Sequence, residues 1–159
     1  MNVGIRRLSQ DDLPRFRKFW RENWGEEFVV AHGEVHHPHT LDGFIAFDAG
    51  EWVGEITYIF SGNDCEIVSL DSLRESQGIG TKLINAVVEE ARKQNCRRVF
   101  LITTNDNLNA LGFYQKRGFE LVAVHRGAVN ESRKIKPGIP LIGENNIPIR
   151  DEIELEMIL

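Results

Sequence analysis

Near residue 75 the hydrophobic rhythm of this chain changes, and that change limits what it can fold into. Upstream, Gly43-Phe44-Ile45-Ala46-Phe47-Asp48 and Glu51 to Phe60 read as a hairpin turning at Gly50. Cys65 to Leu70 returns as a third strand after the turn Ser61-Gly62-Asn63-Asp64. Downstream, Ile79, Leu83, Val87 and Ala91, with Ile84 and Val88 beside them, form one helical face. Arg92 and Lys93 suit the last turn, where the helix dipole favours positive charge, and Asn95 is the stop. Between the two rhythms stands Arg74-Glu75-Ser76-Gln77-Gly78-Ile79-Gly80-Thr81, a strand-to-helix turn with two glycines.

The rest of the chain fits around this centre. Val3 to Leu8 reads as a first strand. Ser9 then caps a helix with Asp11 and Asp12 in its first turn and Leu13, Phe16, Phe19 and Trp20 at helical spacing. Val99-Phe100-Leu101-Ile102 is apolar on both faces, as a strand buried inside a sheet requires. A short helix from Leu108 to Lys116 stops at Gly118, a strand covers 119–124, and the last strand alternates Ile153, Leu155 and Met157. Residues 24–40 carry no clear period, and 126–149, with Pro137, Pro140, Pro148, Gly138 and Gly143, read as a long irregular segment. The order β, α, three β, α, β, α, β, β predicts an α/β fold with a mixed sheet. No repeat or linker divides it, so residues 1–159 are expected to form one domain.

Composition narrows the function classes. A net charge of -5 argues against general nucleic-acid binding. No apolar run suits a membrane span or a signal peptide, and two cysteines, Cys65 and Cys96, provide no disulfide framework, so a cytoplasmic protein is expected. The glycines of the turn let its backbone approach a bound group, and amides at a helix start attract phosphate oxygens. The turn lacks the G-x-x-x-x-G-K-[ST] pattern of a P-loop, and it follows an antiparallel meander rather than opening a dinucleotide-binding unit. No Lys or Asp constellation supports a nucleotide-dependent phosphotransferase.

A second motif decides between the remaining options. Asn107-Leu108-Asn109-Ala110-Leu111-Gly112-Phe113-Tyr114-Gln115-Lys116-Arg117-Gly118-Phe119 has the form N-x-x-A-x-x-F-Y-x-K-x-G-F. With the Gly-rich turn, and from about Cys65 to Val124, the sequence resembles the GNAT superfamily of N-acetyltransferases. That resemblance implies a mixed, mostly antiparallel central sheet with a parallel splayed pair and flanking helices, in the order β-α-(α)-β-β-β-α-β-α-β-β. It implies acetyl-coenzyme A as co-substrate and a primary amine as acceptor, with room for a homodimer and no metal, nucleic acid or membrane partner.

Carried over by position, the backbone amides of Gln77, Gly78, Ile79, Gly80 and Thr81 would cradle the coenzyme's pyrophosphate. Leu70, Asp71 and Ser72 would line its pantetheine arm, with the Leu70 amide facing the thioester oxygen. Asn107 would hydrogen-bond the arm, Ala110 and Phe113 would lie along it, and Tyr114 would set its hydroxyl near the sulfur. One departure stands out. The family motif opens with Gln or Arg, whereas here Glu75 holds that position, with Arg74 before it to offset its charge unless Glu75 points outward.

The chemistry sets its own demands. An alkylammonium with a pKa near about 10.4 must lose a proton before it attacks. A preset backbone donor then stabilises the oxyanion, and a phenol can protonate the departing thiolate. Asp64 and Glu66 are the base candidates, Glu66 first because it is deeper in its strand. Alternation places both on the side of Val68 and Leu70, barring a bulge, and two close carboxylates raise one another's pKa. Residues 26–75 hold eleven acids against one base, Arg74, which suits a cationic acceptor such as a polyamine, an aminoglycoside-like amine or a peptide end. His32, His36, His37 and His39 match no standard zinc spacing and read as a polar loop. Arg126, Arg133, Lys134 and Lys136 read as a solvated basic loop, with the coenzyme's ribose phosphate as the functional alternative. Two rivals stay open: a different acyl donor or acceptor, and a non-catalytic acyl-coenzyme A sensor.

Overall fold

The computed structural model describes residues 2–74 and 77–159. In chain order the elements are β1 (Val3–Arg7), α1 (Leu13–Trp24), β2 (Val29–Ala31), β3 (Glu34–His36), β4 (Asp42–Asp48), β5 (Glu51–Ser61), β6 (Asp64–Ser72), α2 (Ile79–Lys93), β7 (Arg98–Thr104), α3 (Leu108–Lys116), β8 (Glu120–His125), α4 (Ala128–Ile135) and β9 (Glu152–Ile158). Two compact units result: Met1–Val29 with His36–Val99 and Leu159, and Val30–Val35 with Phe100–Ile158. Among the described residues no helix is long and apolar enough to cross a membrane.

In the first unit β1, β4, β5 and β6 pair in that order, each antiparallel to the next. The β4–β5 hairpin turns at Ala49 and Gly50, both at positive φ (52° and 78°), which matches the natural twist of a two-residue hairpin. One face of this sheet carries Ile45, Trp52, Glu55, Thr57 and Ile59; Phe16 and Trp20 of α1 pack with Ile45, Trp52 and Leu41 in one buried cluster. Edge-to-face contacts at 5.2 Å (Phe16–Trp20) and a tilted one at 5.9 Å (Phe16–Trp52) order that layer. The opposite face carries Gly54, Ile56 and Tyr58 against α2, whose buried stripe is Ile79, Leu83, Ile84, Val87, Val88 and Ala91, as the 3.6-residue period predicts. Gly54 must be glycine: a Cβ there would sit 2.9 Å from both the Asp71 carbonyl and the Ile79 side chain. That missing side chain lets the first turn of α2 settle onto β5.

Ser9 does cap a helix, but a one-turn 3-10 segment at Gln10–Asp12 intervenes before α1 begins at Leu13. The Ser9 amide donates to Asp12, and Arg6 donates to both Asp12 oxygens at 2.7 and 2.8 Å.

In the second unit β7 (its Phe100–Thr104 portion), β9 and β8 are neighbours in that order, β8 antiparallel to β9. Leu155 of β9 is fully buried, and Tyr114 and Phe119 stack edge-to-face at 5.4 Å. Residues 24–40, which carry no clear period, contain β2 and β3, paired as a ribbon that turns at His32 and Gly33, both at positive φ. One expectation from the sequence is corrected. The segment 126–149 is not wholly irregular, because Ala128–Ile135 is helical. Val129 and Ser132 are buried, and Arg133 donates to the carbonyls of Pro140 and Ile149 at 2.6 and 2.8 Å. The prolines and glycines lie after that helix, and the guanidinium ties their loop to it.

Candidate active site

The strand-to-helix turn carries the first group of candidate residues. Gly78 is the N-cap of α2 at φ 74°, ψ 9°, a left-handed conformation that a residue with a side chain adopts at a strain of about 1–2 kcal/mol. The helix's first bond runs from the Lys82 amide to the Gly78 carbonyl at 3.1 Å, so the amides of Ile79 and Gly80 have no acceptor within the helix. They point out of its positive end, where a phosphate is stabilised. A Cβ built on Gly78 meets no atom of the described residues within 4 Å. The donor set therefore fits a diphosphate.

Glu75, the departure from the family motif, lies outside the described residues, as does Ser76. Arg74 is described. Its guanidinium reaches back to the hairpin, pairing with Asp48 at 2.7 Å and with Glu51. The Ser72 hydroxyl donates to the Arg74 carbonyl, and the Leu73 amide donates to Val53, which fixes the path from strand to turn.

Along β6 the structure changes the face assignment. Ser69 pairs with Thr57 but Ile67 pairs with Tyr58, leaving Val68 as an extra residue in a β-bulge. The bulge reverses the alternation beyond it. Asp64 and Glu66 share a face with Ser69 and Asp71, and Leu70 and Ser72 lie on the other face, with α2. The two acids also differ. Asp64 is clamped by Arg97 (2.7 Å) and Arg98 (3.0 Å), and those hydrogen bonds hold its carboxyl below the ordinary range. A carboxylate so paired is a poor base, so the expected mutual rise in pKa does not describe Asp64. Glu66 is buried, 7% exposed, opposite Ile59. The Asp71 carboxyl meets Glu55 across the β5–β6 pair, which leaves its backbone for the coenzyme arm that the resemblance implies. The sequence reading passed over Glu55, although a lone acid within Trp52 to Phe60 was the available signal.

A separate group of candidate residues lies at the start of α3. Asn107 is its N-cap, and the side-chain carbonyl accepts the Ala110 amide at 3.1 Å. Capping uses only the oxygen, and no acceptor meets its Nδ2 among the described residues. Tyr114 is 8% exposed, with the Phe113 and Phe119 rings edge-on at 5.2 and 5.4 Å. The Arg117 guanidinium lies 3.5 Å over the Phe113 ring and donates to the Phe113 carbonyl. Two neighbours missed from sequence fasten this corner. Buried Asp106 accepts from Thr104 Oγ1 (2.6 Å) and the Glu144 amide (2.9 Å), and Asn105 accepts from the amides of Arg150 and Asp151. The run Asn105-Asp106-Asn107 thus docks the late loop beside the helix cap.

The weaker sequence signals resolve structurally. The histidine stretch is no loose loop: His36 is buried at the end of β3, and His37 sits between His39 (5.6 Å) and Phe28 (6.0 Å). Lys134 pairs with Glu131 within α4. Much of the acidic second quarter is matched internally, since Asp48, Glu51 and Asp64 each meet an arginine. Both cysteines are free, and burial pushes the Cys65 thiol up to about 12. Cys65 is a packing residue.

The fold defines a class: a mixed α/β chain, mostly antiparallel with one parallel pair of strands. The sequence model of the acetyltransferase (GNAT) family matches residues 5–119, and the chain belongs to that family. It is 46% identical over 142 residues to the uncharacterized protein YdhI of Bacillus subtilis, covering 89% of each chain. It is similar to an IAA acetyltransferase from Bacillus cereus at a TM-score of 0.76 and 23% identity, over 99% of this chain and 100% of that one. A GNAT acetyltransferase from Elizabethkingia anophelis, solved with acetyl-CoA bound, is similar at a TM-score of 0.71 and 22% identity over 99% of each chain.

Proposed function

We propose that this protein transfers the acetyl group of acetyl-coenzyme A to a primary amine by direct attack, with both substrates bound together. The observation that carries this reading is the start of α2. There a left-handed glycine and outward-pointing amides form an anion seat directly after β6. The amides of Gln77 to Thr81 hold the diphosphate, the backbone of Leu70, Asp71 and Ser72 lines the pantetheine arm, and Asn107, Ala110 and Phe113 complete its contacts. The bound thioester supplies an activated acetyl group. Glu66 takes the ammonium proton, directly or through water, because Asp64 is committed to its arginines. The Leu70 amide stabilises the oxyanion, a donor of a kind whose loss costs about 3 kcal/mol. The Tyr114 hydroxyl gives its proton to the departing sulfur as the C–S bond breaks.

The acceptor is a small cationic molecule or a peptide end. The acids still facing solvent near the hairpin, such as Glu26 and Asp42, support this choice. Thiol release from acetyl-coenzyme A across a panel of polyamines, aminoglycosides and peptide N-termini tests the reading. Release with at least one cationic amine is expected. Tight coenzyme binding with no release for any amine would establish the sensor instead.

A further inference from the structure

Glu55 is 1% exposed in the middle of β5 and is absent from the chemistry above. One of its oxygens, Oε2, accepts the Ser69 hydroxyl at 3.0 Å, and Ser69 in turn lies 2.5 Å from the Thr57 hydroxyl. Its other oxygen, Oε1, is buried and meets no N–H or O–H donor among the described residues, and the same holds for Oδ2 of Asp71. Glu55 and Asp71 are register partners across β5 and β6, and their carboxyls are within hydrogen-bonding reach. Two donorless carboxyl oxygens side by side in the interior repel if both groups are ionised; one proton between them turns the repulsion into a strong bond.

We infer that Glu55 and Asp71 hold a single proton between them, and that this bond fixes the Leu70 peptide, making Glu55 a positioning residue for the strand that receives the thioester. Leu70 lies between Ser69 and Asp71, and Glu55 grips both neighbours through their side chains. The proton resides on Glu55. Burial pushes its carboxyl well above the usual range, the bond and charge of Asp71 add to this, and only the Ser69 bond opposes it. Among the described residues no cation pairs with either carboxyl; Arg15 of α1, on this side of the sheet, lies over the Trp52 ring. Ile45 faces Glu55 from β4, α1 turns Phe16 and Trp20 inward on this side, and the other acids of the face, Glu66 and Asp64, pair further along with Ile59 and Ser61.

The role in thioester placement rests on the acetyltransferase reading; the shared proton does not. Glu55→Gln tests both, because glutamine still accepts from Ser69, donates its N–H to Asp71 and cannot ionise. In protein carrying carboxyl-labelled glutamate, a protonated glutamic acid carbonyl stretch is expected near about pH 7 in the parent and not in Glu55→Gln. Absence of that band in the parent overturns the inference. The ratio of acetyl-coenzyme A to coenzyme A affinity is then followed from about pH 5 to 9. The parent should lose roughly tenfold of that preference as the proton leaves, and Glu55→Gln should hold it constant. A flat parent profile, or the same decline in Glu55→Gln, overturns the positioning role. If the parent binds neither ligand, the acetyltransferase reading fails while the infrared result still decides the proton.

Discussion

In the proposed transfer Tyr114 meets a chemical demand and Gly78 a conformational one. Tyr114 sits among Phe113 and Phe119, so removing its oxygen leaves the packing of the ring intact. Tyr114→Phe is expected to lower turnover at least about tenfold while coenzyme affinity barely moves, as loss of a transition-state proton donor should. Steady-state thiol release together with calorimetric titration of coenzyme A measures both, and unchanged turnover would remove the phenol from the mechanism. Gly78 acts through its backbone alone. A Cβ there meets no atom of the described residues within 4 Å, but a β-branched residue at φ 74° is strained. Gly78→Val is expected to weaken coenzyme binding by at least about tenfold, both by disturbing the amide fan and by filling the approach. Affinity within twofold of the parent, read by the same titration, would put the diphosphate elsewhere.

At the scale of elements, α3 depends on its cap. It has nine residues, short enough that its stability comes from its ends and its packing. Asn107→Ala removes the only side-chain oxygen on the Ala110 amide and is expected to cost about 1 kcal/mol. If Asn107 also holds the coenzyme arm, bound coenzyme should restore less melting temperature to Asn107→Ala than to the parent; equal gains would leave capping as its one role. What was legible in the sequence follows from the same physics. The change of period at residue 75 located β6, the turn and α2, because alternation and helical spacing are local properties of the chain. The reversal of faces at Val68 was not legible, since a bulge is set by pairing with β5 and leaves no mark in the residues themselves. α4 was hidden by prolines and glycines that lie beyond it. The ties from Asp106 and Asn105 to the late loop join residues some forty positions apart, and no spacing rule reaches that far. Glu55 was legible as an acid in an apolar strand; its pairing with Asp71 was not, because it depends on the register of β5 against β6.

Across the whole molecule, ionisation works in two directions, and the balance sets a stability curve. Asp12, Asp64 and Asp151 are each held below the ordinary carboxylate range, by Arg6, by Arg97 with Arg98, and by the Gly127 amide with Arg150. Their contribution is therefore fully present above the unfolded value near 3.8 and is lost as pH falls through the folded values. Glu55 has the opposite sign. Its raised folded value gives stability that is complete below the unfolded value near 4.5 and is lost as pH rises through the folded one. Cys65 and Tyr58, both pushed up by burial to about 12, repeat that pattern at the alkaline end. The melting temperature should therefore climb to about pH 5, decline gradually across neutrality and fall more steeply beyond about pH 9. Asp64→Asn isolates one limb: it should lower the melting temperature at about pH 7 and converge on the parent at the pH where folded Asp64 takes up its proton. A scanning-fluorimetry series in matched ionic strength reads both curves. Parallel curves for parent and Asp64→Asn down to that pH would show that the arginine clamp, close as it is, contributes no charge-dependent stability, as often holds for pairs with an exposed partner such as Arg97.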